Sequence, residues 1–222
     1  MSVPETIHRL KTELPTDTRL VAVSKFHPKE AILEAYEAGQ RIFGESRVQE
    51  LCEKQPVCPK DIEWHFIGHL QTNKIRQIVP FVALIHGVDS LKLLKEINKE
   101  GEKISRVIPC LLQIHIAQEE TKFGFSFDEC RDFLASGELK SLKFISLHGL
   151  MGMATLTENP TQIKAEFKSL KNFFDELKKN DLMDESNFND LSMGMSDDYE
   201  MAIEEGSTMV RIGSAIFGSR VY

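Results

Sequence analysis

The sequence predicts an α/β fold, a single closed (β/α)8 barrel of the TIM type, and three observations carry that prediction. Eight short apolar runs recur along the 222 residues. Each is preceded or followed by an amphipathic stretch bounded by helix signals, the rhythm of alternating strand and helix. No linker, low-complexity tract or repeat breaks the series, so residues 1–222 read as one domain. Open α/β sheets usually stop at roughly five to seven strands, whereas eight such units close on themselves.

The first run, "RLVAVSK", leads into "PKEAILEAYEAG". There Pro28 suits a first helical turn, Ala31, Ile32, Ala35 and Tyr36 share one face, and Gly39 suits the C-terminal cap. "RIFGES" is the second strand, and Ser46 with Gln49 reads as a capping box opening "RVQELCEK". "EWHFIGH" is the third, followed by "NKIRQIV". "ALIHGVDS" is the fourth, with Ser90 capping "LKLLKEINKE" and Gly101 ending it. "RVIPCLLQIHI" is the fifth, with Ser126 and Glu129 boxing "FDECRDFLAS" before Gly137. "LKFISLHGLMGM" is the sixth, ahead of the longest helix, "QIKAEFKSLKNFFDELKKN", a core-facing helix with a basic solvated face. "FNDLSMGMS" precedes "DDYEMAIEEG", and "MVRIGSAIFG" is the eighth. A further helix over residues 4 to 14 precedes the first strand and is expected to cover the barrel's bottom.

Composition excludes several function classes. The net charge of −7, with no long basic run, argues against nucleic acid as a partner, since neutralising phosphates needs clustered Lys and Arg. Four cysteines (Cys52, Cys58, Cys110, Cys130) form no C-x-x-C pair and no disulfide framework, which suits reduced thiols and a cytoplasmic location. The N-terminus has no apolar signal region and no run approaches membrane-spanning length, so no membrane partner is expected.

Barrels of this kind carry function at the C-terminal mouths of their strands, with a phosphate site commonly built by the last two loops. Lys25 ends the first strand. Either its stem snorkels and leaves the charge in water, or it is a half-buried amine able to form a Schiff base with an aldehyde. Strands seven and eight end in "SMGMS" and "RIGSA", where Ser196, Gly213 and Ser214 are small enough to cradle a dianion. Arg211 shares a strand face with Gly213 and points toward the same ligand. A phosphate cradle facing a lysine suggests a ligand with both phosphate and aldehyde, and pyridoxal 5'-phosphate (PLP) is such a molecule, with Arg211 able to meet its pyridine nitrogen.

His65 and His69 have the spacing of a helical metal pair but lie in a strand-like run, and His86, His115 and His148 fall near strand ends. A metallohydrolase is therefore the rival, but no H-x-H ends the first strand and the lysine and cradle would have no role. The methionines of "GLMGM" and "SMGM" read as packing.

The sequence resembles the pyridoxal phosphate homeostasis proteins, also called proline synthetase co-transcribed homologues. The resemblance runs through "LVAVSKFHP", "EAYEAGQRIFGE", "WHFIGHLQTNKI", "ETKFGF", "HGLMGM" and "LSMGMSDDYEMAIEEGSTMVRIGSAIFG", in that order. It implies a barrel like the N-terminal domain of alanine racemase without that enzyme's C-terminal β-domain. PLP would sit on Lys25, its phosphate near Ser196, Gly213 and Ser214, and its ring nitrogen on Arg211. His69 and Ser46 complete the expected cofactor-binding set. Ser46 and Arg47 stand where the family usually has Asn and Tyr, so the contact made through that Asn is in question, and Arg47 is expected to face solvent.

Three function classes follow: a carrier of PLP without turnover, a PLP-dependent racemase-like enzyme of low activity, and a Schiff-base aldolase without cofactor. The chain stops at Tyr222, four residues past the eighth unit, where a racemase would continue into the domain supplying its second base. The carrier is thus the expected reading. It would be a monomer or weak dimer serving PLP homeostasis, with PLP-dependent apoenzymes as recipients.

Overall fold

A computed structural model describes residues 1–119, 123–179 and 187–218. Three stretches named above fall partly outside these: residues 120–122 of "ETKFGF", Asn180 and the terminal residues through Tyr222. The strands are β1 (Arg19–Val23), β2 (Ile42–Glu45), β3 (Glu63–Phe66), β4 (Leu84–Val88), β5 (Ile108–Gln113), β6 (Ile145–Met151), β7 (Asp190–Met195) and β8 (Met209–Ile212). They form a closed barrel in sequence order, every neighbouring pair parallel. The helices between them are α2 (Lys29–Glu37), α3 (Val48–Lys54), α4 (Ile75–Ile78), α5 (Leu91–Lys103), α6 (Phe127–Ala135), α7 (Pro160–Lys179) and α8 (Tyr199–Glu204), with α1 (Val3–Glu13) before β1 and α9 (Ser214–Phe217) after β8.

Strand alternation separates two apolar regions. Val21, Leu84, Leu111, Met151 and Met209 come from five different strands and form one buried cluster, so they meet inside the barrel. Their neighbours Leu20, Ala22, Ile85, Leu112, Leu150 and Val210 belong to the larger cluster between sheet and helices. Val21 faces inward, and therefore so do Val23 and Lys25, while Ser24 faces the helices.

The structure corrects four expectations about local elements. α1 packs against α2 and α9 rather than closing the bottom. Ile7 and Leu10 are buried on its inner face and belong to the main apolar core. Ser46 does not cap α3: Arg47 is the N-cap residue, without a side-chain cap, and Gln49 bonds Glu53 on its own helix. Gly101 lies inside α5, where a Cβ would collide with the Arg106 carbonyl oxygen, so close packing rather than termination requires it. The run "MVRIGSAIFG" is a four-residue strand and then a helical turn. By contrast, Ser126 and Glu129 form both halves of the capping box on α6, and Ser90 accepts from the Leu93 amide on α5.

Candidate functional site

A hollow of about 260 Å³ opens at the C-terminal mouth of the barrel. Lys25 and His27 reach it from the β1–α2 loop, Ser46 from the end of β2, and Ile67 from beyond β3. Met195, Ser196 and Asp197 enter from the end of β7, and Arg211, Gly213 and Ser214 from β8 and the start of α9. Six of the seven expected binding residues thus meet in one place. Gly68 makes room for one of them, because a Cβ there would run into the Ser46 backbone.

His69 is not among the lining residues. β3 ends at Phe66, and the His69 ring turns away to bond Asp89 through Nδ1 at 2.8 Å and to stack on Phe123 at 4.2 Å between centroids. His86 and His148 are likewise not at strand ends: both lie within their strands, His86 buried in β4 and His148 in β6 near Asp190. Among the described residues no group of three His, Cys, Asp or Glu could hold a metal ion. A second hollow, about 340 Å³, lies at the other end of the barrel among Lys11, Arg19 and Arg41. All three cations are engaged there, with the Gly39 carbonyl, Asp190 and Asp61 respectively.

The side of the mouth formed by the ends of β7 and β8 is built from small groups. Ser196 Oγ accepts the Gly213 amide at 3.2 Å, which leaves its hydroxyl hydrogen to donate elsewhere. Gly213 fits tightly against β1, since a Cβ would meet the Val23 carbonyl oxygen at 3.1 Å.

Arg211 is almost wholly buried and held from below. Its NH1 donates to Ser192 O at 2.9 Å and to Ser192 Oγ at 2.6 Å, and its NH2 to Gly152 O at 3.1 Å. Of the five guanidinium hydrogens two remain. Burial draws its pKa down to about 10, with Asp198 opposing, so it stays charged at neutral pH. The network continues inward: Ser192 Oγ, which accepts from the arginine, also bonds His86 Nδ1 at 3.0 Å, and His86 Nε2 bonds His65 Nδ1 at 2.9 Å. Burial holds both imidazoles neutral, His65 at about 3 and His86 well below its ordinary value, the neighbouring His65 adding to the shift of His86.

A second polar cluster lies behind Lys25, between the barrel and α3, and sequence reading did not find it. Ser24 Oγ donates to Glu45 Oε1 at 2.6 Å, and Lys54 Nζ donates to the same oxygen at 2.7 Å, to Glu50 Oε1 at 2.6 Å and to Ser24 O at 2.8 Å. The signal was present: an acidic residue closes an otherwise apolar strand, and Glu50 and Lys54 are one helical turn apart. Arg47 is exposed, as expected, with its guanidinium over the Phe26 ring at 4.5 Å.

The comparisons with known proteins agree with the fold and identify the family. The profile of the family described as "Alanine racemase, N-terminal domain" matches residues 3–221. The pyridoxal phosphate homeostasis protein of Aquifex aeolicus is 40% identical over 208 residues, covering 92% of this chain and 88% of that protein. PipY of Synechococcus elongatus, solved without PLP, superimposes with a TM-score of 0.91 at 36% identity, over 98% of this chain and 100% of that one. The same protein with PLP bound gives a TM-score of 0.88. Alanine racemase of Clostridium difficile matches at a TM-score of 0.77 and 15% identity, covering 98% of this chain but 56% of its own, and shows the fold alone. With its barrel closed in the same way and its sequence matched along nearly all of its length, this chain belongs to the pyridoxal phosphate homeostasis protein family, within the alanine racemase N-terminal domain family.

Proposed function

We propose that this protein binds PLP in the barrel mouth, with Lys25 as the covalent anchor, and serves PLP homeostasis as a carrier without catalytic turnover. The observation that carries the reading is the meeting of Lys25, near one end of the sequence, with Ser196, Arg211, Gly213 and Ser214, near the other, around one hollow of about 260 Å³. The residues suit the cofactor: an amine, a charged donor with hydrogens left over, and hydroxyl and glycine groups where a Cβ would crowd β1. When bound, the cofactor would supply an aldehyde carbon and Lys25 the amine for a C=N linkage, the carbonyl oxygen leaving as water with two hydrogens from the amine.

Each residue has a distinct task. Ser196, Gly213 and Ser214 receive the phosphate, and Ser46 borders the hollow on the β2 side. Arg211 can only donate, so it meets the pyridine nitrogen without supplying a proton. One feature supports a carrier over a racemase: a ring nitrogen facing a donor-only partner is a poor electron sink. Apoenzymes that need PLP are the proposed recipients, and a monomer or weak dimer in the cytoplasm the proposed working form, with which the four free thiols accord.

Adding PLP to the purified protein should give visible absorbance, and borohydride should then fix the label on Lys25. Peptide mapping that finds the label on another lysine would overturn the assignment.

A further inference from the structure

Lys25 sits between two peptide groups, and both are gripped from outside the barrel by the same helix. The Ser24 carbonyl, on one side, accepts from Lys54 Nζ at 2.8 Å. The Phe26 amide, on the other side, donates to Glu50 Oε1 at 2.6 Å. Lys54 and Glu50 lie on α3 and bond each other at 2.6 Å, so the two grips form a single device. Glu45, fully buried on β2, ties it to the sheet through the Lys54 ammonium and the Ser24 hydroxyl.

Two features go beyond what packing alone requires. Phe26 has a φ of 66°, in the left-handed region that bulky residues rarely adopt, and it follows Lys25 directly. Backbone in such a conformation persists only where the surroundings over-determine it. In addition, Glu45 Oε2 is buried with no hydrogen-bond partner among the described residues, and its burial raises the carboxyl to about 6. Two carboxylates and one ammonium leave the cluster one negative charge in excess beside Lys25.

We propose that Glu50 is a positioning residue for Lys25: braced by Lys54 and Glu45, it locks the left-handed turn at Phe26 and so aims the lysine amine into the hollow. The inference rests on the PLP reading above. Glu50 is not among the residues lining the hollow; it holds the Lys25 loop through the Phe26 amide, and its charge also acts on His27.

The test compares two probes, PLP and pyridoxine 5'-phosphate, which carries an alcohol in place of the aldehyde and reports the cradle alone. If the wild type gives no visible absorbance with PLP, the PLP reading itself fails and the positioning question does not arise. With the wild type reactive, Glu50→Ala should lower covalent attachment to Lys25 by on the order of 10- to 100-fold, the cost of a misplaced reacting group. Its affinity for pyridoxine 5'-phosphate should stay within about twofold, as expected if the cradle is untouched. Adding Phe26→Gly to Glu50→Ala should restore much of the attachment, because glycine takes the left-handed turn unaided. Unchanged attachment, equal loss for both probes, or no rescue would each overturn the proposal. Should Glu50→Ala not fold, Glu50→Gln keeps an acceptor for the Phe26 amide while losing the charge facing Lys54. A partial loss of attachment is then expected, and wild-type attachment would overturn it.

Discussion

Mild acid should weaken this fold, because His65 and His86 are buried neutral inside the barrel. A histidine whose folded pKa is depressed takes up its proton in the unfolded chain first. Its contribution is therefore present above about pH 6.5 and lost as pH falls toward the folded value, with a slope of ~1.4 kcal/mol per pH unit per proton. For His65, drawn from 6.5 to about 3, the loss between pH 7 and pH 5 is ~2 kcal/mol. His86 adds a loss of the same sign. Glu45 works the other way. Burial raises its carboxyl from 4.5 to about 6, so the folded chain binds its proton first and acidification from pH 7 to 5 returns ~1 kcal/mol. Below about pH 4.5 Glu45 is protonated in both states and its compensation ends, while His65 goes on losing stability down to about pH 3.

Urea unfolding of the cofactor-free protein, followed by circular dichroism at pH 7, 6 and 5, measures this. The wild type should lose ~1 kcal/mol or more by pH 5, with His86 enlarging that figure. His65→Gln keeps an acceptor for His86 Nε2 and cannot titrate, so its loss should be smaller by ~2 kcal/mol. Glu45→Gln removes the compensation, so its loss should be larger by ~1 kcal/mol. A wild type as stable at pH 5 as at pH 7, or a His65→Gln variant with the wild-type slope, would refute the assignment of neutral buried imidazoles.

Other outcomes follow from the same geometry. Lys25→Ala should abolish the visible absorbance with PLP yet keep weak phosphate-driven binding, measured by equilibrium dialysis, since the cradle is built by other strands. Ser214→Asp sets a carboxylate against the dianion and should sharply reduce PLP retention with an unchanged dichroism spectrum; unchanged affinity would put the phosphate elsewhere. Gly194→Ala should cost ~2 kcal/mol or more in urea unfolding, because φ is +95° there and the new Cβ would meet that of Ala202 at 2.6 Å. L-alanine incubated in deuterated water with the PLP-loaded protein should show negligible α-hydrogen exchange and no D-alanine by chiral chromatography. Turnover near roughly one per second would revive the racemase.

What the sequence could reveal was set by how local each determinant is. Strand alternation and helix-face periodicity depend on near neighbours, so all eight strands were legible, as was the shared inward face of Arg211 and Gly213. Ser126 with Glu129 is equally local, and the capping box is there. Ser46 with Gln49 has the same pattern, but Ser46 is drawn to the barrel mouth against Gly68, a contact between strands that no short window contains. His69 illustrates the same limit. An apolar run shows that a strand exists, but the curvature of the barrel ends β3 three residues before His69 and lets the ring turn to Asp89. The cluster of Ser24, Glu45, Glu50 and Lys54 joins β1, β2 and α3, and only closure of the barrel brings those elements together.

The two buried polar clusters place charge differently at the two ends of the pocket. Behind Lys25, the excess negative charge of Glu45 and Glu50 over Lys54 favours a positive nitrogen where the covalent bond forms. At the Arg211 end the guanidinium donates to Ser192, which is bonded in turn to His86 and, through it, to His65. Burial keeps both imidazoles neutral, so neither supplies a proton to that end of the pocket. If PLP binds as proposed, the acidic cluster would favour a positive nitrogen at Lys25 and Arg211 would leave the ring nitrogen without a proton, so the ring would be a weak electron sink, in accord with the proposed carrier role.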